Sequence, residues 1–317
     1  MKIVFMGTPD FARGCLQALY DAGYEIPVVV TQPDRPKGRK KELVPSPVKV
    51  CALEHGSAVL QPEKIRGDLA VIETLRQTQA DLFVVAAFGQ ILPKEILELP
   101  RLGCINVHAS LLPKYRGAAP IQQAILDGES VSGVTIMQMA EGLDTGDILT
   151  TCEYPISDEE TGGSLFEALM QAGAELLVKT IPLLENGKVT PQKQDDAKAS
   201  YVKMLKKEDG KLDFSKDARS LFNRIRGLDP WPGAFVRQGE KTLKIWKSRV
   251  LEPGDTTEDP SGILPGQVLG VSKEGIDVVC GQGILRILEL QPEGKKRMAS
   301  RDYLLGHSLS KGERFDG

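Results

Sequence analysis

Apolar residues in the first half of the chain form short continuous runs that alternate with amphipathic segments. The continuous runs are rich in valine and isoleucine, which is typical of strands buried on both faces of a sheet. They predict strands at residues 2–6, 26–30, 81–87 and 103–107. Helical spacing of Leu, Ile and Ala predicts helices at residues 10–22, 68–78, 119–128 and 163–184. This alternation indicates an α/β fold with a doubly wound, Rossmann-like sheet.

Two strand-like runs in the middle of the chain lie next to each other. Residues 134–139 and 148–156 flank the loop AEGLDTGD, which suits a hairpin-like extension. Because neighbouring strands joined in this way run antiparallel, we expect the sheet to be mixed.

The pattern of the second half differs. Residues 190–207 are polar and lack periodicity, so we interpret them as a linker between a domain at 1–189 and a second domain at 208–317. After a short helix at 218–228, five β-like runs with glycine turns follow: AFVRQ, TLKIWKSRVL, GQVLGVS, GIDVVCG and ILRILELQ. Several short strands in a small domain predict an OB-like β-barrel.

Composition restricts the classes of protein that the chain can belong to. Its 317 residues suffice for two domains, and 41% hydrophobic with 26% charged residues is ordinary for a soluble globular protein. Five scattered cysteines without a CxxC motif argue against a zinc site or a disulfide framework. No stretch approaches the roughly 20 apolar residues of a membrane span. We therefore expect a cytoplasmic protein that does not bind membranes.

Charge is unevenly divided along the chain. Residues 1–205 carry 20 basic and 26 acidic residues, a net charge of -6, whereas residues 206–317 carry 20 basic and 17 acidic residues, a net charge of +3. This difference permits a polyanionic partner for the second half without requiring one.

The segment FMGTPDFA occupies the place where a doubly wound fold would hold a phosphate. It lacks the GxGxxG motif, since only Gly7 is present, and no Walker A motif occurs in the chain. We interpret it as a strand, a turn and a helix with Asp10 as the N-cap. The negative charge of Asp10 would repel a pyrophosphate, so an NAD enzyme is not expected.

The run GCINVH places two polar side chains on one side of a buried strand. Asn106 and His108 are two positions apart, so their side chains point to the same face. They lie at the carboxyl end of a predicted parallel strand, where open α/β sheets bind ligands. A histidine at a strand end is often structural. His55 and His307, the other two histidines, lie in polar loop or helix-end contexts, which leaves His108 as the one placed for chemistry.

Two sequence segments resemble the signature of the folate-dependent formyltransferases: NVHASLLPKYRGAAP and, after it, GVTIMQMAEGLDTGDIL. The resemblance extends along nearly the whole chain. The resemblance implies 10-formyltetrahydrofolate as the donor and Asn106, His108 and Asp144 as the active site. It further implies folate contacts from Ser110, Leu111, Leu112 and Pro113. Read alone, GLDTGD would be a competent turn in which Asp144 caps backbone NH groups, and the two leucines could be plain loop packing.

A second loop after a strand, FGQILP at residues 88–93, is expected to line the same cleft. Its residues Gly89, Ile91 and Leu92 join the predicted folate contacts.

The chemistry of formyl transfer suits these residue types. A carboxamide NH2 such as that of Asn106 can stabilise the oxyanion that forms when an amine attacks the formyl carbon. The imidazole of His108 can exchange protons at neutral pH, and Asp144 can orient it and stabilise its cationic form. The reaction needs neither a metal ion nor a covalent enzyme intermediate.

Two further features indicate the acceptor. The loop at residues 31–49 is basic, and its four prolines are expected to keep it out of helix and sheet. The appended β domain contains LDPWPGAF, in which we expect Trp231 to be a core residue rather than a base-stacking one. Both features resemble the branch of the family that acts on initiator methionyl-tRNA. The predicted tRNA contacts are Arg35, Lys37, Arg39, Lys40 and Lys41.

Other interpretations stay open at this point. The basic loop could be an ordinary solvated charged loop. The acceptor could instead be a sugar or nucleotide amine, as in other relatives that share the same active-site motif. A different class would be a nucleic-acid-binding protein that has lost catalysis, although the intact Asn106, His108 and Asp144 argue against it. We expect the chain to act as a monomer.

Overall fold

The computed structural model describes residues 1–37, 42–239 and 241–316. The chain forms two compact units. The first unit comprises Met1–Pro120, Val131–Pro155 and Phe166–Val202, and the second comprises Ile121–Ser130, Ile156–Leu165 and Lys203–Gly317. Nowhere in the described ranges is a helix long and apolar enough to cross a membrane.

The first unit contains strands β1 to β11. These are β1 (Ile3–Gly7), β2 (Val28–Val30), β3 (Arg35–Lys37), β4 (Glu42–Val44), β5 (Ala58–Leu60), β6 (Leu82–Ala86), β7 (Cys104–His108), β8 (Arg116–Gly117), β9 (Val131–Gln138), β10 (Ile148–Pro155) and β11 (Tyr201–Val202). The second unit contains β12 (Ala234–Gln238), β13 (Lys241–Val250), β14 (Val268–Val271), β15 (Ile276–Val279), β16 (Ile284–Pro292) and β17 (Met298–Ala299).

Eight α-helices accompany the strands in the described parts of the chain. They are α1 (Asp10–Asp21), α2 (Pro47–Glu54), α3 (Leu69–Gln77), α4 (Lys94–Leu97), α5 (Pro120–Leu126), α6 (Gly162–Glu185), α7 (Ala218–Gly227) and α8 (Ser300–Leu304). The long predicted helices at 10–22, 68–78, 119–128 and 163–184 are therefore confirmed to within a few residues.

Seven strands of the first unit form one sheet in the order β10-β9-β7-β6-β1-β2-β5. The five strands from β7 to β5 are parallel to their neighbours, whereas β9 and β10 are antiparallel additions. The mixed, Rossmann-like sheet is thus confirmed. Every residue of β1, β6 and β7 is buried, which explains the continuous apolar runs of β1 and β6, whereas β7 also buries two polar residues.

The turn after β1 is shaped by packing. A Cβ at Gly7 would lie 2.6 Å from the Cβ of Ala12 and 2.7 Å from the carbonyl oxygen of Ala86. Glycine is therefore required for the close approach of α1 to the sheet. The N-cap of α1 is Pro9, without a side-chain cap, so the expectation that Asp10 is the N-cap is wrong; Asp10 is instead the first helical residue, where its charge favours the helix N-terminus.

The prediction that prolines keep residues 31–49 out of regular structure is also wrong. Strands β3 and β4 form a two-stranded antiparallel ladder, in which Pro36 pairs with Leu43. An edge position tolerates the missing N–H of proline. Helix α2 begins at Pro47, and the Ser46 hydroxyl accepts a hydrogen bond from the Lys49 N–H at 3.0 Å. Proline suits the first helical turn because the N–H there has no intrahelical partner.

The second unit has an antiparallel sheet in the order β12-β13-β16-β15-β14, with β17 paired to β16. The C-terminal residues 312–316 bridge the two outer strands of this sheet. The N–H of Asp316 and the carbonyl oxygen of Arg237 form a hydrogen bond of 2.8 Å, and the N–H of Val268 donates to the carbonyl oxygen of Glu313 at the same distance. The tail thereby covers the strand edges that an open sheet would leave unpaired, which agrees with the OB-like prediction.

The predicted linker, residues 190–207, overlaps the ordered structure of the first unit. The chain stays in this unit up to Val202, and β11 pairs in parallel with β8. The domain division at 1–189, 190–207 and 208–317 stays a prediction.

Candidate active site

Two polar side chains interrupt the apolar surface of β7. Asn106 and His108 are buried, with 9% and 6% of their surface exposed. The backbone pairs Asn106 with Met137 and His108 with Thr135 of β9, and β6 lies on the other side of the strand. Since Val107 between them belongs to the core, the two-residue spacing places both polar groups on the same face.

The loop between β9 and β10 brings a carboxylate to these two side chains. Asp144 has a positive φ of 53°, a left-handed conformation that Asp adopts more readily than most residues. Gly146 is packed so closely that a Cβ there would collide with the carbonyl oxygen of Gln138. The loop therefore folds back tightly onto the end of β9.

The three side chains converge. Asp144 Oδ2 lies 3.7 Å from His108 Nδ1, and Asn106 Nδ2 donates to Asp144 Oδ1 at 3.4 Å. Only 12% of the Asp144 side chain is exposed. The separation between the carboxylate and the imidazole exceeds a direct hydrogen bond but falls within ion-pair range. The juxtaposition that sequence motifs indicated is present, whereas the catalytic roles of the three residues stay predictions.

A backbone carbonyl determines which nitrogen of the neutral imidazole carries the hydrogen. The Nε2 of His108 lies 2.9 Å from the carbonyl oxygen of Tyr115. A carbonyl only accepts, so Nε2 carries the hydrogen and donates it. In the neutral ring, Nδ1 is therefore the unprotonated nitrogen, and it faces the carboxylate of Asp144. A proton that arrives on Nδ1 would be stabilised by that charge.

The segment SLLP (residues 110–113), which follows β7, contains two buried and two half-buried residues. Ser110 is fully buried, and its hydroxyl donates to the carbonyl oxygen of Lys114 at 2.7 Å, so this hydroxyl holds the loop. Leu112 is buried as well, while Leu111 and Pro113 are half-buried. The predicted folate contacts of these four residues stay predictions. Half-buried Leu111 and Pro113 are the two that retain accessible apolar surface.

The loop after β6 presents a similar division. Gly89 and Ile91 are exposed, whereas Leu92 packs into the core of the first unit. The carboxamide of Gln90 holds the loop, since its Oε1 accepts from the Ile65 N–H at 2.7 Å and its Nε2 donates to the Pro62 carbonyl oxygen at 3.1 Å. The folate contacts predicted for this loop likewise stay predictions.

Sequence reasoning missed two buried residues beside Asp144. Arg116, in β8, is 1% exposed, and its Nε and Nη2 donate to Oε1 of Gln194 at 3.1 and 2.8 Å. The Nε2 of Gln194 donates to the carbonyl oxygens of Asp144 and Gly146. Arg116 lies in the motif KYRGAAP, but Gln194 lies in the segment interpreted as a linker, where no local sequence signal marks it.

The basic loop is only partly described. Arg35 and Lys37 lie in β3, and Arg35 is exposed. The predicted contacts Arg39, Lys40 and Lys41 lie outside the described residues. Lys49 forms a 2.6 Å salt bridge with Asp34, and the hydrogen bonds from Lys49 and then Gln61 lower the pKa of the Asp34 carboxyl. The positive charge of Lys49 is therefore neutralised within the unit, whereas no ion-pair partner of Arg35 occurs among the described residues.

The expectation that Trp231 is a core residue is wrong. Its side chain is 56% exposed, in a turn with cis peptide bonds before Pro230 and Pro232. The nearby basic residue Arg297 is neutralised by Glu289 at 2.8 Å and by Asp229 at 3.2 Å.

No group of three or more His, Cys, Asp or Glu residues suited to a metal ion occurs within the described ranges. The expectation of a site without metal stays a prediction.

The chain matches two family profiles. Residues 1–181 match the family described as Formyl transferase, and residues 204–308 match the family described as Formyl transferase, C-terminal domain.

Similar proteins agree with these profiles. Methionyl-tRNA formyltransferase of Lachnospira eligens is 55% identical over 312 residues, with 98% of both chains covered. The protein of the same name from Citrifermentans bemidjiense is 50% identical, with 98% of this chain and 95% of that chain covered. Among solved structures, WlaRD, a sugar 3N-formyl transferase crystallised with dTDP and 5-N-formyl-THF, superposes with a TM-score of 0.67 at 22% identity. That superposition covers 93% of this chain and 99% of WlaRD, and it supports the fold alone.

Proposed function

Because the chain belongs to the methionyl-tRNA formyltransferase family, we propose that it transfers the formyl group of 10-formyltetrahydrofolate to the α-amino group of methionyl-initiator tRNA. The product is N-formylmethionyl-tRNA, which is used in translation initiation. The observation that carries the proposal within the site is the convergence of Asn106, His108 and Asp144.

The donor supplies a one-carbon unit as an N-formyl amide, so the enzyme must stabilise negative charge on the formyl oxygen and move one proton between two nitrogens. Asn106 serves the first need. Its Nδ2 has one acceptor among the described residues, Asp144 Oδ1 at 3.4 Å, and therefore retains an N–H for the formyl oxygen. Removal of such a donor typically costs about 3–4 kcal/mol in the barrier.

His108 serves the second need. Its Nδ1 accepts the proton that the attacking amine loses, and the same nitrogen can return a proton to the departing N10 of the folate. The carbonyl oxygen of Tyr115 fixes the ring by accepting from Nε2. Asp144 stabilises the imidazolium through its Oδ2.

Exposed apolar side chains in two loops of the first unit suit a folate. Ile91 is 64% exposed in the loop after β6, and Leu143, which precedes Asp144, is 54% exposed. Ligand pockets typically combine such apolar surface with a few polar groups that fix orientation. We propose that Gly89, Ile91, Leu92 and the segment at residues 110–113 form the wall of the folate site.

The acceptor is proposed to meet the basic loop. The exposed guanidinium of Arg35 has no ion-pair partner in the described parts of the chain, which suits a phosphate contact. We propose the same role for Lys37, Arg39, Lys40 and Lys41, and a tRNA-binding role for the domain at 208–317. Since tRNA formylation serves translation, we also propose a cytoplasmic location. We further propose that the enzyme is a monomer. Subcellular fractionation and light scattering test these two points.

A comparison of acceptors tests the proposed function. The pure protein is incubated with 10-formyltetrahydrofolate and one of three acceptors: charged initiator methionyl-tRNA, the same tRNA uncharged, or a dTDP-linked amino sugar. We expect formylation of the charged tRNA alone. Formylation of the amino sugar would assign the chain to a different acceptor, and no formylation of any acceptor would refute the activity.

A further inference from the structure

The loop that carries Asp144 is held by a second segment of the first unit. Residues 194–202 lie against residues 113–118, where β11 pairs with β8 and the N–H of Tyr115 donates to the Ser200 hydroxyl at 2.8 Å. We propose that Arg116 and Gln194 are positioning residues, which fix the Asp144 carboxylate against His108. This inference rests on the proposed function.

Gln194 makes the contact with the loop. Its Nε2 donates to the carbonyl oxygen of Asp144 at 2.9 Å and to that of Gly146 at 2.7 Å, and the residue is only 6% exposed. One amide group thus spans two carbonyls on either side of Thr145. A left-handed residue such as Asp144 is retained where its surroundings over-determine it, and these two bonds supply that constraint.

Arg116 determines which way the amide points. Both its Nε and its Nη2 donate to Oε1 of Gln194. The amide oxygen must therefore face the guanidinium, which leaves the NH2 group facing the loop. If the amide were reversed, its NH2 group would face the N–H groups of Arg116, and its oxygen would face the carbonyl oxygens of Asp144 and Gly146.

The guanidinium is itself fixed by partners at the protein surface. Its Nη2 donates to Asp196 Oδ1 at 2.7 Å, and its Nη1 donates to the Tyr201 hydroxyl at 2.9 Å. Burial alone would lower the pKa of Arg116, but the hydrogen bonds that it donates to Asp196 and Tyr201, with the charge attraction of these groups, outweigh burial and raise it. The buried charge is therefore retained.

The backbone beside Arg116 completes the arrangement. The N–H of Gly117 donates to Asp144 Oδ2 at 2.8 Å, the same oxygen that faces His108 Nδ1. The dipeptide Arg116–Gly117 thus holds Asp144 twice, once directly at the carboxylate and once through Gln194 at the backbone. A shift of this segment would move the carboxylate away from the imidazole.

The substitution Gln194→Glu tests the proposal, because it keeps the acceptor for Arg116 but removes the NH2 group that binds the loop. We expect kcat to fall by about tenfold to a hundredfold, with KM for both substrates changed by less than about twofold. The matched control is Gln192→Glu, which adds the same charge to an exposed side chain two residues away and should leave kcat unchanged.

A double-mutant cycle separates positioning from general destabilisation. If Gln194 acts through the carboxylate, Gln194→Glu should lower kcat by less than about twofold in an Asp144→Asn background. Losses that multiply in the double variant, or an unchanged kcat in the single variant, would overturn the proposal. Thermal unfolding of each variant checks that all of them are folded at the assay temperature.

Hydrogen exchange provides a readout that does not depend on activity. We expect amides at residues 141–147 to exchange faster in Gln194→Glu than in wild type or Gln192→Glu. Unchanged exchange in this loop would contradict the positioning role. Absence of formyl transfer by the wild-type protein would instead refute the proposed function. Hydrogen exchange therefore tests the positioning role of Gln194 separately from the formyltransferase activity.

Discussion

Replacement of Asp144 by Asn removes a charge while nearly preserving shape, so it isolates the electrostatic contribution to proton transfer. Asp144 Oδ2 and His108 Nδ1 are 3.7 Å apart, and the side chains are 12% and 6% exposed. Two unit charges at about this separation attract by about 1 kcal/mol in water and by about 4 kcal/mol at an effective dielectric constant of ~20. The low exposure favours the upper part of this range. If half or more of the imidazolium charge has developed in the transition state, the barrier rises by about 2–4 kcal/mol, which slows transfer by about 30-fold to 1000-fold.

Single-turnover formylation of charged initiator tRNA at saturating donor measures this change directly. The control is Asp147→Asn, which removes a half-buried carboxylate three residues further along the same loop and should retain the wild-type rate. A loss of less than about threefold in Asp144→Asn, or equal losses in the two variants, would refute the electrostatic role of Asp144.

Three further predictions concern binding and stability. Arg35→Ala should raise KM for charged tRNA by about threefold to tenfold and leave KM for the donor unchanged. The difference in KM for tRNA between wild type and Arg35→Ala should shrink between about 50 and 200 mM salt, and a salt-independent difference would exclude a phosphate contact. Trp231→Ala should lower the free energy of unfolding by no more than about 1–2 kcal/mol in denaturant titrations, because the side chain is 56% exposed. A loss of about 3–5 kcal/mol, as for an aromatic residue in the core, would contradict the exposed position. Arg286→Met should destabilise the second unit by about 3–5 kcal/mol in the same titrations, because it leaves the buried carboxylate of Asp277 unpaired. The control Arg249→Met removes an exposed ion pair and should cost less than about 1 kcal/mol. Equal losses in the two variants would contradict the dependence of this ion pair on burial.

Local patterns predicted most of the fold because its strands and helices are regular. Buried parallel strands such as β6 read as continuous apolar runs, and α1 and α3 show helical spacing. The elements that were missed have no such pattern. Strands β8 and β11 are two residues each and pair across about 85 positions of sequence, so only the tertiary structure defines them. The prediction for residues 31–49 is wrong because Pro36 at a strand edge and Pro47 at a helix start are both compatible with regular structure.

The candidate site was predictable to different extents. Asn106 and His108 were indicated by their own spacing on a strand, which fixes a shared face. Asp144 was inferred from family resemblance, because its position depends on a left-handed turn and on contacts from Gln194. Gln194 itself was missed, since a polar residue in a polar segment carries no signal until its partner Arg116 is placed beside it. Burial of Trp231 was predicted wrongly because the flanking prolines gave no information about the direction of the turn.

We propose that the first unit moves a formyl group between nitrogens with His108 as the proton carrier. The most direct test of this proposal follows a ¹³C-labelled formyl carbon from the donor under single-turnover conditions, for wild type, His108→Ala and the control His55→Ala. We expect label on the methionine nitrogen of charged initiator tRNA at equal rates for wild type and His55→Ala, and transfer at least about a hundredfold slower for His108→Ala. Equal rates for all three proteins, or label recovered as free formate, would contradict the proposal.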